Sequence, residues 1–141
     1  MLQTIIDASE NFCIHQIRTP HEIKDDINKD RTLIAYIDIE TLDKKKYRVY
    51  IASDFDFMQK VSKLFLEEDD SDEETLIDMT LETTNLIVGS AKVLAQESEI
   101  NPYSIGTPHF IKVDTFDFDY DQAKVIKIDD GELIVAIKEL N

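Results

Sequence analysis

In 141 residues the sequence holds no tryptophan, one cysteine, three glycines, three prolines and three histidines. One cysteine, Cys13, excludes an intrachain disulfide. Its sequence neighbours offer no activating group, so it reads as a small buried side chain. Gly89, Gly106 and Gly131 lie too far apart to build a glycine-rich phosphate loop. His15, His21 and His109 lack the spacing of metal ligands. Ser98, Ser104 and Cys13 sit in no nucleophile motif. Basic residues are scarce as well: 15 Lys and Arg stand against 30 Asp and Glu, a formal net charge of −15. Nucleic acid and anionic membrane surfaces are excluded as partners on that ground, because both demand clustered cations. No apolar run approaches the roughly 20 residues of a membrane span. The first residues carry Asp7 and Glu10 where a signal peptide would be basic. These absences predict a cytoplasmic protein.

Hydrophobic residues make up 43% of the chain, enough to build a core within one domain spanning residues 1–141. Leu2, Ile5, Ile6, Ser9 and Phe12 recur at helical spacing and predict a helix over 2–17, stopped by Thr19-Pro20. A polar stretch follows from Ile23 to Asp30. Leu33, Ala35, Ile37 and Ile39 then alternate with their neighbours, as do Tyr47, Val49 and Ile51, and the polar connection 41–46 makes the two strands a hairpin. Ser53 and Asp54 supply capping oxygens for a helix carrying Phe57, Met58, Val61, Leu64 and Phe65.

The acidic run 67–74 reads as a solvated linker, with Ser71 and Glu74 forming an S-x-x-E capping box for the next helix. That helix runs to about Glu97 or Ser98, where Asn101-Pro102 bars its continuation. Strands near 109–116, 122–128 and 132–139 complete the chain, the last two joined at Asp130-Gly131. The order α-β-β-α-α-β-β-β predicts an α+β fold, a mostly antiparallel sheet with helices packed on it. Asp117, Asp119 and Asp121 begin like a calcium loop, but Gln122 and Ile128 stand where Gly and Glu are required. With Phe116, Phe118 and Tyr120 interleaved, the segment reads as an amphipathic strand or hairpin.

The chemistry concentrates on the long helix. At about 100° per residue, Asp78, Glu82, Asn85 and Gly89 share a narrow stripe, while Leu76, Ile87, Ala91 and Leu94 face the other way. Gly89 costs about 1 kcal/mol of helix propensity relative to Ala, which suggests that something large approaches the stripe there. A carboxylate one turn from a carboxamide can hold a cationic partner and orient a water. Pro108 follows Asn85 with residues 86–107 between them.

An Asp, then E-x-x-N, then Pro after 22 residues resembles the signature of the CheC/CheX/FliY phosphatases of bacterial chemotaxis. Asn85-Leu-Ile-Val-Gly89-Ser-Ala91 resembles the family's N-x-x-x-G-N-A turn, with Ser90 in place of the usual Asn. The similarity covers about residues 30–141, and a single copy of the motif is closest to CheX. The resemblance implies a CheX-like fold and hydrolysis of the aspartyl phosphate of a CheY-type receiver domain. It makes Asn85 and Glu82 the catalytic pair, Asn85 positioning the attacking water and Glu82 docking on a lysine of the regulator. Asp78, Gly89 and Pro108 become binding or support positions. No cofactor is expected on this chain, and Mg²⁺ belongs to the partner response regulator. A non-catalytic adaptor that binds a receiver domain or a flagellar-switch component is the alternative. The resemblance also implies a homodimer. Ala123–Ile128 and Leu133–Ile137, β-branched and free of proline, are the expected unpaired edges for it, with Lys124, Lys127 and Lys138 offsetting charge.

Overall fold

The computed structural model describes residues 2–98 and 102–140. Helix α1 (Leu2–Phe12) buries Leu2, Ile5, Ile6, Ser9 and Phe12, the stripe its spacing predicted. It runs on into a π-helical turn, Cys13–Ile17, closed by Arg18 in the left-handed region (φ 60°), whose N–H donates to the Cys13 carbonyl. Burial pushes the Cys13 thiol up to about 12, so the residue is inert packing.

Strands β2 (Arg31–Thr41) and β3 (Lys46–Asp54) form the expected hairpin, each longer than the alternating core of its sequence. Asp54 then caps α2 (Phe55–Leu66), its carboxylate accepting the Phe57 N–H at 2.8 Å. The following helix, α3 (Glu73–Ser98), ends where expected, although Asn101 of the predicted stop lies outside the described residues. Its start differs from expectation. The capping box does not form: Asp72 accepts the Thr75 N–H at 2.8 Å, while Ser71 is buried and its hydroxyl pairs with Ser62 and Glu68. Gln59 holds both backbone groups of Ser71, drawing it away from the helix end.

Two short strands had no signal in the sequence. β1 (Glu22–Lys24) lies in the stretch read as polar and pairs with β6 (Gln122–Ile128). β4 (Tyr103–Ile105) and β5 (His109–Thr115) share the outer edge of β2, the first beside Ile39–Thr41 and the second beside Arg31–Tyr36. At three residues, β1 and β4 are too short to show alternation. β7 (Gly131–Glu139) closes a hairpin with β6, but the turn is Asp129-Asp130 rather than Asp130-Gly131. Asp129 carries the positive φ of 53°. Gly131 serves packing instead: a Cβ there would stand 2.7 Å from the Phe57 nitrogen, so α2 rests directly on the strand.

Among the described residues the sheet runs β1-β6-β7-β3-β2-β4, with β5 also on β2, and every pairing is antiparallel. β7 is therefore central, and β1 covers β6 over Val125–Lys127, so of the edges expected for a dimer only the Gln122–Lys124 end of β6 keeps an unpaired side among the described residues. Lys124 and Lys138 are likewise spent within the chain, on Asp25 and Asp121. Helices cover one face of the sheet over a core that includes Ile37, Ile51, Phe57, Ile87, Ile126 and Val135. On the other face Ile34, Tyr50, Val125 and Ile134 meet Phe116 and Phe118. Those aromatics come from residues 116–121, which form a loop rather than the expected strand or hairpin. Tyr50 stacks on Phe118 with centroids 5.2 Å apart and meets Phe116 edge-on at 5.5 Å. The ring burial holds the segment down while its aspartates stay in water.

Candidate active site

Helix α3 divides sharply by direction. Leu76, Thr80, Thr83, Thr84, Ile87, Val88, Ala91 and Ala95 are buried. The threonines explain why the apolar stripe is weak in sequence: they fill the helix–sheet gap with small side chains. Thr80 and Thr84 satisfy their hydroxyls on carbonyls one turn back, those of Leu76 and Thr80, at 2.7 and 2.8 Å. With that face buried, the stripe of Asp78, Glu82 and Asn85 is exposed, as predicted. Gly89 sits one turn further on, partly exposed, and nothing lies within 4 Å of where its Cβ would stand. The stripe thus ends in an open notch. Among the described residues, Asp78, Glu82 and Asn85 have no hydrogen-bond or ion-pair partner. A helical rise of 1.5 Å per residue spreads the three over about 10 Å.

Pro108 is not on this stripe. It precedes β5, at the join with β4 on the outer edge of β2, where its missing N–H costs no ladder bond. The Gly106 N–H donates to the Asp38 carbonyl at 2.9 Å and fixes the same join. The structure therefore gives Asp78, Glu82, Asn85 and Gly89 one surface and places Pro108 apart from it, at the β4–β5 join. What ties the two regions together is Tyr103, buried on β4, whose hydroxyl donates to the Val88 carbonyl at 2.9 Å. Burial pushes that phenol well above its usual range, and it stays a donor. Sequence reading missed Tyr103, because its role arises only once β4 packs against α3.

An apolar groove of about 450 Å³ runs beside the stripe between α1 and α3, lined by Phe12, Phe65, Leu86, Val93 and Leu94 among others. The remaining sequence candidates stay apart. His21 faces Glu10 at 3.4 Å, His109 stacks on Tyr36, and His15 lines the groove. Asp121 accepts the Glu139 N–H at 2.7 Å, so it fastens a loop. No group of three or more His, Cys, Asp or Glu among the described residues is arranged to hold a metal ion. No helix there is long and apolar enough to cross a membrane.

The sequence model described as "Chemotaxis phosphatase CheX" matches residues 37–129, well over half of the chain. No curated protein matches the chain. Among solved structures, the chemotaxis protein CheX of Vibrio vulnificus superposes with a TM-score of 0.84 at 15% identity, over 99% of this chain and 95% of that one. CheX of Desulfovibrio desulfuricans gives a TM-score of 0.76 at 19% identity, over 98% and 97%. The CheX–CheY–BeF3–Mg²⁺ complex of Borrelia burgdorferi gives 0.69 at 15% identity, over 98% and 97%. At these identities the structures establish a shared fold, and the α+β architecture expected from the sequence is CheX-like.

Proposed function

This chain belongs to the CheX family of chemotaxis phosphatases, and from that premise we propose that it hydrolyses the aspartyl phosphate of a phosphorylated CheY-type receiver domain itself, rather than merely binding it. The observation that carries the reading is the exposed, unpartnered stripe of Glu82 and Asn85 on α3. An aspartyl phosphate is a mixed anhydride and already reactive, so catalysis is mainly positioning and charge control. The Asn85 carboxamide offers one acceptor for a water proton and donors for a phosphoryl oxygen. The water oxygen bonds to phosphorus as the bond to the aspartyl oxygen breaks. The carboxylate leaves with that electron pair, and both protons of the water stay with the inorganic phosphate, as H2PO4⁻. Neither a strong base nor a metal on this chain is needed. Mg²⁺, which accompanies CheY in the Borrelia complex, would sit in the receiver's acidic pocket. Glu82, three residues before Asn85 on the same stripe, docks on a receiver lysine. Asp78, Gly89 and Pro108 support the surface. Residues 1–141 act here as one domain, in the cytoplasm.

The test is release of phosphate from a phosphorylated CheY-type receiver. Asn85→Ala should abolish stimulated hydrolysis with the circular dichroism spectrum unchanged, since an exposed side chain leaves no cavity. Glu82→Lys should weaken association several-fold, less so at high salt. An Asn85→Ala protein that hydrolyses at the wild-type rate refutes the catalytic role. Wild-type protein that binds the receiver without hydrolysing it means an adaptor. A homodimer belongs to the same reading. If it forms through strands, β5 is the longest edge with a free side among the described residues.

A further inference from the structure

We propose that Lys92 is a second anion-facing residue of the α3 surface, one that recognises the phosphorylated state of the receiver; this rests on the phosphatase reading above. Among the described residues α3 carries five acids and one base, and the base is Lys92. Its position is not arbitrary. Seven residues beyond Asn85, it points within about 20° of the same direction, about 10 Å further along the axis. Gly89 lies between the two, and the space above it is empty. Helical side chains lean towards the N-terminus, so the Lys92 stem leans over that notch towards Asn85. No ion pair or hydrogen bond engages its ammonium among the described residues, whereas eight other Lys and Arg side chains there have carboxylate partners.

Charge supplies the reason. Along the stripe the order is Glu74, Asp78, Glu82, Asn85, Gly89, Lys92: three anions, two neutral positions, one cation. A phosphoryl group brought to Asn85 by a protein of net charge −15 meets repulsion from the first half of the stripe and attraction only from Lys92. The gradient also sets the direction of docking, with the receiver's cationic group over Glu82 and its anionic group over the notch. Lys92 makes no bond to the reacting atoms in this account. It orients and selects.

The experiment measures hydrolysis and binding for wild type, Lys92→Gln, Lys92→Met (which keeps the apolar stem) and Lys92→Arg. Binding is measured to the receiver with and without its beryllofluoride adduct, which stands in for the phosphoryl group. An exposed charge contact is worth up to about five-fold in affinity. Lys92→Gln and Lys92→Met should raise KM about five-fold and leave kcat within about two-fold. Affinity for the adduct should fall by the same factor while affinity for the unmodified receiver holds. Lys92→Arg should restore wild-type behaviour, and 0.5 M salt should erase most of the difference. Equal loss on both receiver forms, or no loss on either, overturns the assignment. If wild type is active and the Lys92 variants match it, the Lys92 role alone fails. If wild type neither hydrolyses the phosphorylated receiver nor prefers the adduct, the phosphatase reading fails and takes Lys92 with it.

Discussion

A carboxyl at the buried end of β3 has to serve two backbone donors at once. Asp54 accepts the Phe57 N–H on one oxygen and the Glu132 N–H on the other, both at 2.8 Å. Desolvation by burial outweighs those bonds and pushes its carboxyl up to about 6 from the usual 3.8. The folded state therefore holds the proton more tightly than the unfolded one. The resulting stabilisation is full below about pH 4 and is lost as pH rises through about 6. Thermal unfolding of wild type and Asp54→Asn should show this as a stability difference largest near pH 4 and smallest near pH 7. A pH-independent difference would mean that Asp54 does not titrate there. At this scale much of the candidate surface was legible in the sequence. Asp78, Glu82, Asn85 and Gly89 share one helix, where local geometry alone decides direction. Tyr103, Ser71 and Pro108 were not legible in that way, because each owes its role to a neighbour distant in sequence.

Among the elements, α2 shows how closely the helical layer sits on the sheet. Its first turn rests on Gly131, where a Cβ would collide with the Phe57 backbone at 2.7 and 2.8 Å. Backbone cannot swing aside as a side chain can, so Gly131→Ala should cost about 1–3 kcal/mol by overpacking, read as a lower denaturant midpoint with an unchanged slope. An Ala variant as stable as wild type would show that α2 lifts freely. Long elements with strong periodicity, α1, β2, β3, β6 and β7, were readable because each shows its buried face several times over. β1 and β4 were not, being three residues each and held by partners 103 and 64 residues away in register pairs such as Ile23–Ile126 and Glu40–Ser104. The same limit hid the strand order. Periodicity marks β7 as a strand but says nothing of its place between β3 and β6.

For the whole molecule, that placement redirects the question of assembly. Among the described residues the edges left are β1, three residues long and tied down by the Lys24–Glu132 ion pair, the Gln122–Lys124 end of β6 beyond it, and the β4–β5 side. A twofold dimer of this protein should give a mass of twice 16.3 kDa by light scattering at micromolar concentration. Because two copies carry −15 each, association should strengthen at moderate salt as repulsion is screened. A mass of one chain at all salt concentrations would exclude the dimer.

The central position of β7 has a consequence for how the chain is made. Synthesis is vectorial, and a ribosome delivers β2 and β3 well before residues 131–139 and β6 just ahead of them. Until those residues emerge, β3 and β6 have no common neighbour, and the edge of β3 around Val49 and Ile51 stands open to water and to other chains. The sheet cannot be assembled piece by piece as it leaves the tunnel. Its two halves wait for β7 to join them, so a nascent chain stalled before residue 131 is a sticky half-sheet awaiting a chaperone.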